Sequence, residues 1–412
     1  MKKLKVKKVK KDQAKNGNKI GNQNGNNYNF ARIKVIGVGG AGGNVISRMQ
    51  EEFVKGVGFI AVNTDVQDLN YCRARRKIYI GKNLTRGLGT GMNPDVGRQA
   101  AEENRSELVE ALKDSDLVFV TAGLGGGTGS GASPIIAEAA KESGALTVAI
   151  VTKPFAFEGS QRSRIAQEAL LKLREKVDTL IVVPNDRIFS VIQKDTPLIK
   201  AFEVVDDVLR SAVQGIAELI AMPGIINVDF ADVKTIMHEA GSAMIGIGIG
   251  SGQDRAMNAV TQAVNSPLLE ISMEGARGVL FGISGGRDMK MNEINDIAKI
   301  IAEAADSSAK IIFGAYQDRK LKKGQLKVTL VATGFNGHAA VKSPETAIST
   351  LFNGGYNNNL MDKSSAKTAV NNQNGGAQDA KKDNEKPSAI IKKEKEDDIW
   401  NIPTFLRRKK RQ

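Results

Sequence analysis

Gly123-Leu-Gly-Gly-Gly-Thr-Gly-Ser-Gly131 is the stretch that most narrows what this chain can fold into. It follows an apolar run, Asp116-Leu-Val-Phe-Val-Thr-Ala122, and leads into a helical pattern, Ala132-Ser-Pro-Ile-Ile-Ala-Glu-Ala-Ala140. A strand, a glycine-packed turn and a helix start bring several backbone N–H groups around one point. The unpaired amides and the macrodipole of a helix start favour an anion there. Glycine is required wherever a side chain would block close approach or forbid the dihedral angles. A glycine-rich stretch taken alone also fits a flexible surface loop. Its position between a buried-type strand and a helix favours a phosphate.

A second glycine loop lies upstream. Ile33-Lys-Val-Ile36 reads as a strand, and Gly37-Val-Gly-Gly-Ala-Gly-Gly43 opens into Asn44-Val-Ile-Ser-Arg-Met49. Gly37, Gly39 and Gly42 satisfy the dinucleotide fingerprint, and the next strand, Phe59–Val62, ends at Asn63-Thr-Asp65, with an acid near a ribose binder's expected place. An NAD(P)-dependent oxidoreductase is therefore the alternative reading, but it leaves the richer second loop unexplained. The chain has no Gly-x-x-x-x-Gly-Lys-Ser/Thr, so a P-loop is excluded. Two glycine loops without a P-loop lysine point to one phosphate chain held by backbone amides.

The formal charge of +14 would point to nucleic acid if it lay on the fold, but it lies in the tails. Residues 1–30 hold nine Lys and one acid, and residues 361–412 hold thirteen basic and eight acidic residues, which leaves the body between them nearly neutral. A basic stripe on a fold is what specific nucleic-acid binding needs, so solubility or loose contact is the reading for the tails. The single cysteine, Cys72, excludes an intramolecular disulfide and fits a reducing cytoplasm. The start, Met1-Lys-Lys-Leu-Lys-Val-Lys-Lys, lacks the apolar core of a signal peptide, and no apolar run is long enough for a bilayer span.

Residues 1–30 read as a disordered basic extension. From 31 to 195, strand candidates at 33–36, 59–62, 77–80, 117–122, 146–151 and 179–183 alternate with helical patterns at 42–53, 94–113, 132–142 and 160–176. That alternation predicts an α/β domain with a parallel sheet, whose ligands bind at the strands' carboxyl ends. A long central helix over 196–224 follows, with Thr196 as N-cap, Pro197 at the first helical position and Pro223-Gly224 as its stop. A second, smaller α/β domain spans 225–340. Residues 341–397 read as a disordered linker. The terminal segment 398–412, with Trp400, Ile402, Pro403, Phe405 and Leu406, reads as an apolar docking peptide on a tether.

Three elements can finish a nucleotide site. Glu158 and Arg162 follow the strand at 146–151, although an i,i+4 Glu–Arg pair is also an ordinary surface ion pair. Asn185 follows the strand at 179–183. Asp206 lies on the long helix one turn after Phe202, and a carboxylate accepts both donors on guanine's Watson–Crick edge while adenine offers no matching pair. In Asn227-Val-Asp229-Phe-Ala-Asp232 the two aspartates share a face at a helix start. Capping explains them; so does a carboxylate pair that polarises water or holds a cation for phosphoryl transfer. The long helix keeps them from their own chain's loops, so head-to-tail stacking, which builds open filaments, would bring them to a neighbour's nucleotide.

Gly125–Gly131 is similar to the tubulin signature. Together with Gly37–Asn44, Asn227–Asp232 and Ile402-Pro-Thr-Phe-Leu406, the chain resembles the FtsZ family of bacterial tubulin-like cell-division GTPases over about residues 31–340 plus the terminal peptide. The resemblance implies that Gly39, Gly40, Ala41, Gly42, Gly43, Asn44, Gly125, Gly126, Gly127, Thr128 and Gly129 surround the phosphates of GTP or GDP. Mg2+ would accompany the nucleotide, with no protein metal ligands assigned. It puts Glu158 and Arg162 at the ribose, and Asn185 and Asp206 at guanine beside Phe202. Asn227, Asp229 and Asp232 would act on the next subunit's GTP, so hydrolysis would require a polymer. Such a polymer forms a membrane-associated ring at midcell and meets membrane-tethering and regulatory division proteins through the terminal peptide. Ala41 stands where a glycine is common, the extension 1–30 is longer than usual, and the terminal segment adds Trp400 and five basic residues.

Overall fold

The structure is a computed structural model that describes residues 31–50, 56–266, 272–318 and 320–335. The extension 1–30, the linker 341–397 and the docking residues Trp400, Ile402, Pro403, Phe405 and Leu406 lie outside the described residues. The first part runs β1 (Ile33–Val38), α1 (Gly39–Met49), β2 (Gly58–Asn63), α2 (Val66–Tyr71), β3 (Arg76–Tyr79), α3 (Lys82–Thr85), α4 (Pro94–Glu103), α5 (Arg105–Leu112), β4 (Leu117–Gly123), α6 (Gly127–Glu142), β5 (Leu146–Lys153), α7 (Ser160–Arg174) and β6 (Thr179–Pro184). Then come α8 (Leu198–Ala221), β7 (Gly224–Ile226), α9 (Phe230–Met237), β8 (Gly241–Ser251), α10 (Arg255–Val264), β9 (Gly278–Gly285), α11 (Met291–Ala304), β10 (Lys310–Gln317) and β11 (Gln325–Thr333). Among the described residues no helix is long and apolar enough to cross a membrane.

All strands join one sheet in the order β3-β2-β1-β4-β5-β6-β8-β11-β9-β10-β7. From β3 to β6 every pairing is parallel. Helices cover both faces, which is why β4 and β5 are apolar almost throughout. Sequence order reverses between β1 and β4, and an open parallel sheet has its ligand crevice outside the carboxyl ends of such a pair. The second α/β part continues the same ladder: β6 pairs with β8 in parallel from Thr179↔Gly241 to Ile181↔Ala243. β11 then runs antiparallel to both β8 and β9. The expected parts 31–195 and 225–340 therefore share a sheet edge as well as a connecting helix.

Four helix boundaries differ from the sequence expectation. α1 starts at Gly39 rather than 42, and α6 at Gly127 rather than 132, so the glycine loops are themselves first helical turns. Glycine is a poor helix former alone, but here tight packing overrides propensity. A Cβ on Gly129 would overlap the Gly123 carbonyl, and one on Gly131 the Pro94 carbonyl. The expected helix 94–113 breaks at Asn104 (φ −106°, ψ 20°), whose Oδ1 accepts the Gly81 N–H at 3.0 Å. α8 starts at Leu198, with Pro197 as the N-cap residue (φ −57°, ψ 144°); Thr196 instead donates its N–H to the Gln193 carbonyl.

α8 is buried between the two parts. Leu209, Val213, Ile216 and Leu219 join a single apolar cluster with Val148 and Ile181 on one side and Leu280 and Val331 on the other. In β8, isoleucine alternates with glycine from Ile245 to Gly250. The glycine face lets α10 lie directly on the strand, since a Cβ on Gly246, Gly248 or Gly250 would overlap the carbonyls of Ala263, Ala259 or Arg255. Gly248→Ala is therefore expected to cost at least about 2 kcal/mol, because the obstruction is backbone and cannot rotate away. Equilibrium urea unfolding checks this; an unchanged midpoint would mean α10 can shift freely.

Candidate functional site

The glycine turns of α1 and α6 meet at the carboxyl ends of β1 and β4. Gly39 takes φ +71°, and a Cβ there would stand 3.2 Å from the Gly129 nitrogen. Behind them, Gly37 and Gly42 are packed so closely that Gly42 would meet the Thr121 carbonyl at 2.7 Å with any side chain. Neither helix has a side-chain N-cap or an acid in its first turn. The first N–H groups of both thus lack the usual intrahelical and side-chain partners, and both positive dipole ends face one space. That arrangement recruits a polyanion.

The space is a cavity of about 400 Å³. Gly39, Gly40, Ala41, Asn44, Gly126, Gly127, Thr128 and Gly129 line it, together with Glu158 and Arg162 and with Asn185, Phe202 and Asp206. Gly42, Gly43 and Gly125 do not line it. Gly42 is spent on helix–strand packing and Gly43 faces Cys72. Gly125, at φ +97°, turns the chain while its N–H donates to Ser130 Oγ at 2.9 Å.

Each lining side chain is held. Glu158 Oε2 accepts from Arg162 at 3.0 Å and Oε1 accepts the Phe155 N–H at 2.9 Å. The side chains of Glu158 and Arg162 are 6% and 17% exposed, so this is not a surface ion pair. Phe202 stands edge-on to buried Phe155 at 5.4 Å. Asn185 is buried in the turn after β6, and its Oδ1 has no hydrogen-bond partner within the protein. A buried unsatisfied amide oxygen is costly and fits a ligand N–H donor. Asp206 lies 3.2 Å from Arg48 Nε. Burial nevertheless pushes the Asp206 carboxyl up to about 7 against that guanidinium, with help from Asp207 and Glu203. An acceptor amide, a carboxylate and an aromatic face fit the Watson–Crick edge and ring of guanine.

Sequence reasoning missed the rest of the wall. Gly89, Thr90, Gly91 and Met92 line it, as do Asn63, Asp65 and Asp68. The signal was Gly87-Leu-Gly-Thr-Gly-Met92, in which Gly87, Gly89, Gly91 and Met92 all take positive φ. Thr128 Oγ1 joins this loop to the floor, 2.7 Å from Thr64 Oγ1 and 3.4 Å from Thr90 Oγ1. Asp65, the acid in the dinucleotide alternative, is occupied as the N-cap of α2, where one oxygen accepts from Gln67 and Asp68. Among the described residues no cluster of three His, Cys, Asp or Glu side chains forms a metal site.

Asn227, Asp229 and Asp232 do not line the cavity. They follow the far end of α8, whose 24 residues span roughly 36 Å at about 1.5 Å each. Asp229 is exposed and caps α9, with Oδ1 accepting the Asp232 N–H at 2.7 Å. Asn227 Oδ1 accepts the Gly224 N–H at 2.6 Å. Capping is therefore present, and it leaves the second Asp229 oxygen at the surface loop.

Comparison with known proteins places this geometry. Residues 32–193 match the Tubulin/FtsZ family GTPase domain, and residues 241–336 match the FtsZ family C-terminal domain. The chain is similar to an empty FtsZ dimer from M. jannaschii, with 47% identity and a TM-score of 0.71 over 74% of this chain and 89% of that one. It shares the fold of a GTPγS-bound CetZ2 protofilament from Haloferax volcanii (23% identity, TM-score 0.66, 78% of this chain and 99% of that one).

The Asp206 carboxyl sets a pH test in the nucleotide-free protein. An unfolded aspartate ionises near 4, whereas in the fold Asp206 keeps its proton to about 7. Between those values the folded state binds the extra proton, so stability is fully present at low pH and falls as pH rises from about 4 to 7. Relative to Asp206→Asn, the unaltered protein should lose urea stability over that window. Parallel pH profiles of the two would exclude the raised carboxyl.

Proposed function

Because the chain belongs to the tubulin/FtsZ family, we propose that it binds and hydrolyses GTP and polymerises head to tail, with each nucleotide completed by two copies. The observation that carries this is the division of labour along α8. Residues suited to phosphate, base and aromatic contact line one cavity, while the carboxylates of Asp229 and Asp232 follow the opposite end of α8.

In this reading the N–H groups of Gly39, Gly40, Ala41, Asn44 and Gly126–Gly129 cradle the phosphates, and Mg2+, bound with them, would neutralise phosphate charge. Glu158 and Arg162 take the ribose. Asn185 Oδ1 and the Asp206 carboxylate accept guanine donors while Phe202 packs on the ring. Adenine offers no donor pair to match, so one base is selected by leaving the other's groups unpaired. Asp229 and Asp232 of the next copy, oriented by Asn227, polarise the attacking water. Water adds to the terminal phosphorus as the bond to the bridging oxygen breaks, giving GDP and phosphate. Loss of the terminal phosphate loosens the contact between copies, so hydrolysis sets filament turnover. The M. jannaschii FtsZ similar to this chain was solved as a dimer, which supports self-association. The filaments form the septal ring of a dividing cell in the cytoplasm, and residues 398–412 dock membrane-tethering and regulatory proteins.

A site shared by two copies makes GTP turnover per molecule rise steeply above a threshold protein concentration, with pelletable polymer appearing at the same threshold. Constant specific activity across dilution would exclude the shared site. Asp229→Ala is expected to bind GTP and sediment like the unaltered chain, while its turnover falls by roughly 10²-fold or more, the scale of a general acid–base contribution. Loss of GTP binding instead would make Asp229 structural. Deleting residues 398–412 should leave GTP-dependent sedimentation intact and abolish ring localisation in cells; rings formed by the truncated chain would reject docking through that peptide.

A further inference from the structure

The loop between α8 and α9 is held from two directions by one cluster of side chains that lies apart from the nucleotide cavity. Glu218, one turn before the end of α8, is buried. Its Oε2 accepts from the Tyr316 hydroxyl at 3.0 Å and from Lys327 Nζ at 2.8 Å, and its Oε1 accepts from Gln214 Nε2 at 2.5 Å. Tyr316 lies on β10 and Lys327 on β11, so one carboxylate joins the helix to two strands of the second α/β part. Lys327 also meets Asp318 at 3.7 Å. Burial and the adjacent Glu218 carboxylate hold the Tyr316 phenol well above its ordinary range, which keeps it a donor.

Tyr316 has a second link to the same loop. β7 pairs with β10 through Gly224↔Tyr316 and Ile226↔Ala315, with a register shift between them. Six residues after Glu218 the chain thus returns to the backbone of the residue whose hydroxyl holds Glu218. Any side chain on Gly224 would meet the Ala315 carbonyl at 2.7 Å. Buried Val228 packs on Gly314, and the Asn227 amide closes the turn on the Gly224 N–H. Asp229 follows directly. A buried ion pair is a weak source of stability, since apolar residues of similar volume often do as well. What a carboxylate with three donors supplies is one defined geometry.

We propose that Glu218, Tyr316 and Lys327 are positioning residues that clamp the end of α8 to β10 and β11, and so set where Asn227 and Asp229 stand against a neighbouring copy's nucleotide. This rests on the reading of the α8–α9 loop as the second half of the hydrolytic site. The clamp also ties that half to the first: Asp206, which lines the cavity, precedes Glu218 by twelve residues of the same rigid helix, roughly 18 Å.

Tyr316→Phe removes one hydroxyl and keeps the ring and the ladder, and Lys327→Met removes the cation at similar length. In the full-length chain, each is expected to lower GTP turnover per sedimented subunit at saturating GTP by about tenfold, as a small displacement of a reacting group implies. The dissociation constants for GTP and GDP and the assembly threshold should stay at the values of the unaltered chain. Unchanged turnover, or turnover that falls only in step with nucleotide affinity and unfolding midpoint, would overturn the clamp. Asp229→Ala assayed beside them separates the two ideas. Full hydrolysis by Asp229→Ala removes the half-site reading and the clamp with it, whereas an inactive Asp229→Ala beside a fully active Tyr316→Phe removes the clamp alone.

Discussion

Two helix N-termini are driven into one space, and the rest of the molecule is arranged around that constraint. α1 and α6 reach it because glycine at Gly37, Gly42 and Gly129 lets helix backbone approach strand backbone more closely than any side chain permits. Neither helix start carries a capping side chain or an acid, so the fold leaves donors and dipole ends exposed to a common ligand. Unpaired donors that leave water are costly, and a phosphate chain satisfies many of them at once. No lysine is needed for this, which is why the absence of a P-loop signature is informative. The Thr64–Thr128–Thr90 hydroxyl chain then ties the first turn of α6 to the Gly89–Met92 wall.

The second organising element is α8, whose ends do different things. Near its start, Phe202, Val205, Asp206 and Leu209 line the cavity. Near its finish, Glu218 is bonded to β10 and β11. Between them, residues such as Val213 and Ile216 are buried against both α/β parts. The sheet also runs on from β6 to β8, through three residue pairs, so both the helix and the ladder link the parts. The first turn of α8 is exposed, at Leu198 and Ile199, and its buried face is what the two parts share.

Much of this is legible in the amino-acid sequence. The parallel strands stand out as short apolar runs separated by helical patterns, and both glycine turns sit after strands as expected. Asn185, after β6, and Phe202 and Asp206, one turn apart on α8, are marked by family resemblance, and the fold brings all three to one cavity. Other features depend on partners that sequence does not display. The helical state of the glycine turns comes from packing against Pro94 and Gly123, which overrides propensity. Asn104 breaks a continuous helical pattern because Gly81 offers it an N–H. The loop at Gly87, Gly89 and Gly91 goes unassigned, since their positive φ values are invisible to composition. Glu218 meets Tyr316 and Lys327 across 98 and 109 residues, and on a helical pattern it looks like one more surface acid.

Asp206 shows how site and rod are connected energetically. Burial raises its carboxyl to about 7 although Arg48 is 3.2 Å away, so the protein alone disfavours the ionised form of this group near neutral pH. A guanine edge would supply two N–H donors to the carboxylate and lower that value again, because hydrogen bonds to the charged form favour it. Asn185 Oδ1, unsatisfied in the protein alone, would gain a donor in the same event. In the proposed reading, base recognition would relieve two local penalties, one of them on α8 itself. The place of Asp206 on α8, rather than on a surface loop, puts the proposed base contact on the element that leads to the loop bearing Asn227 and Asp229.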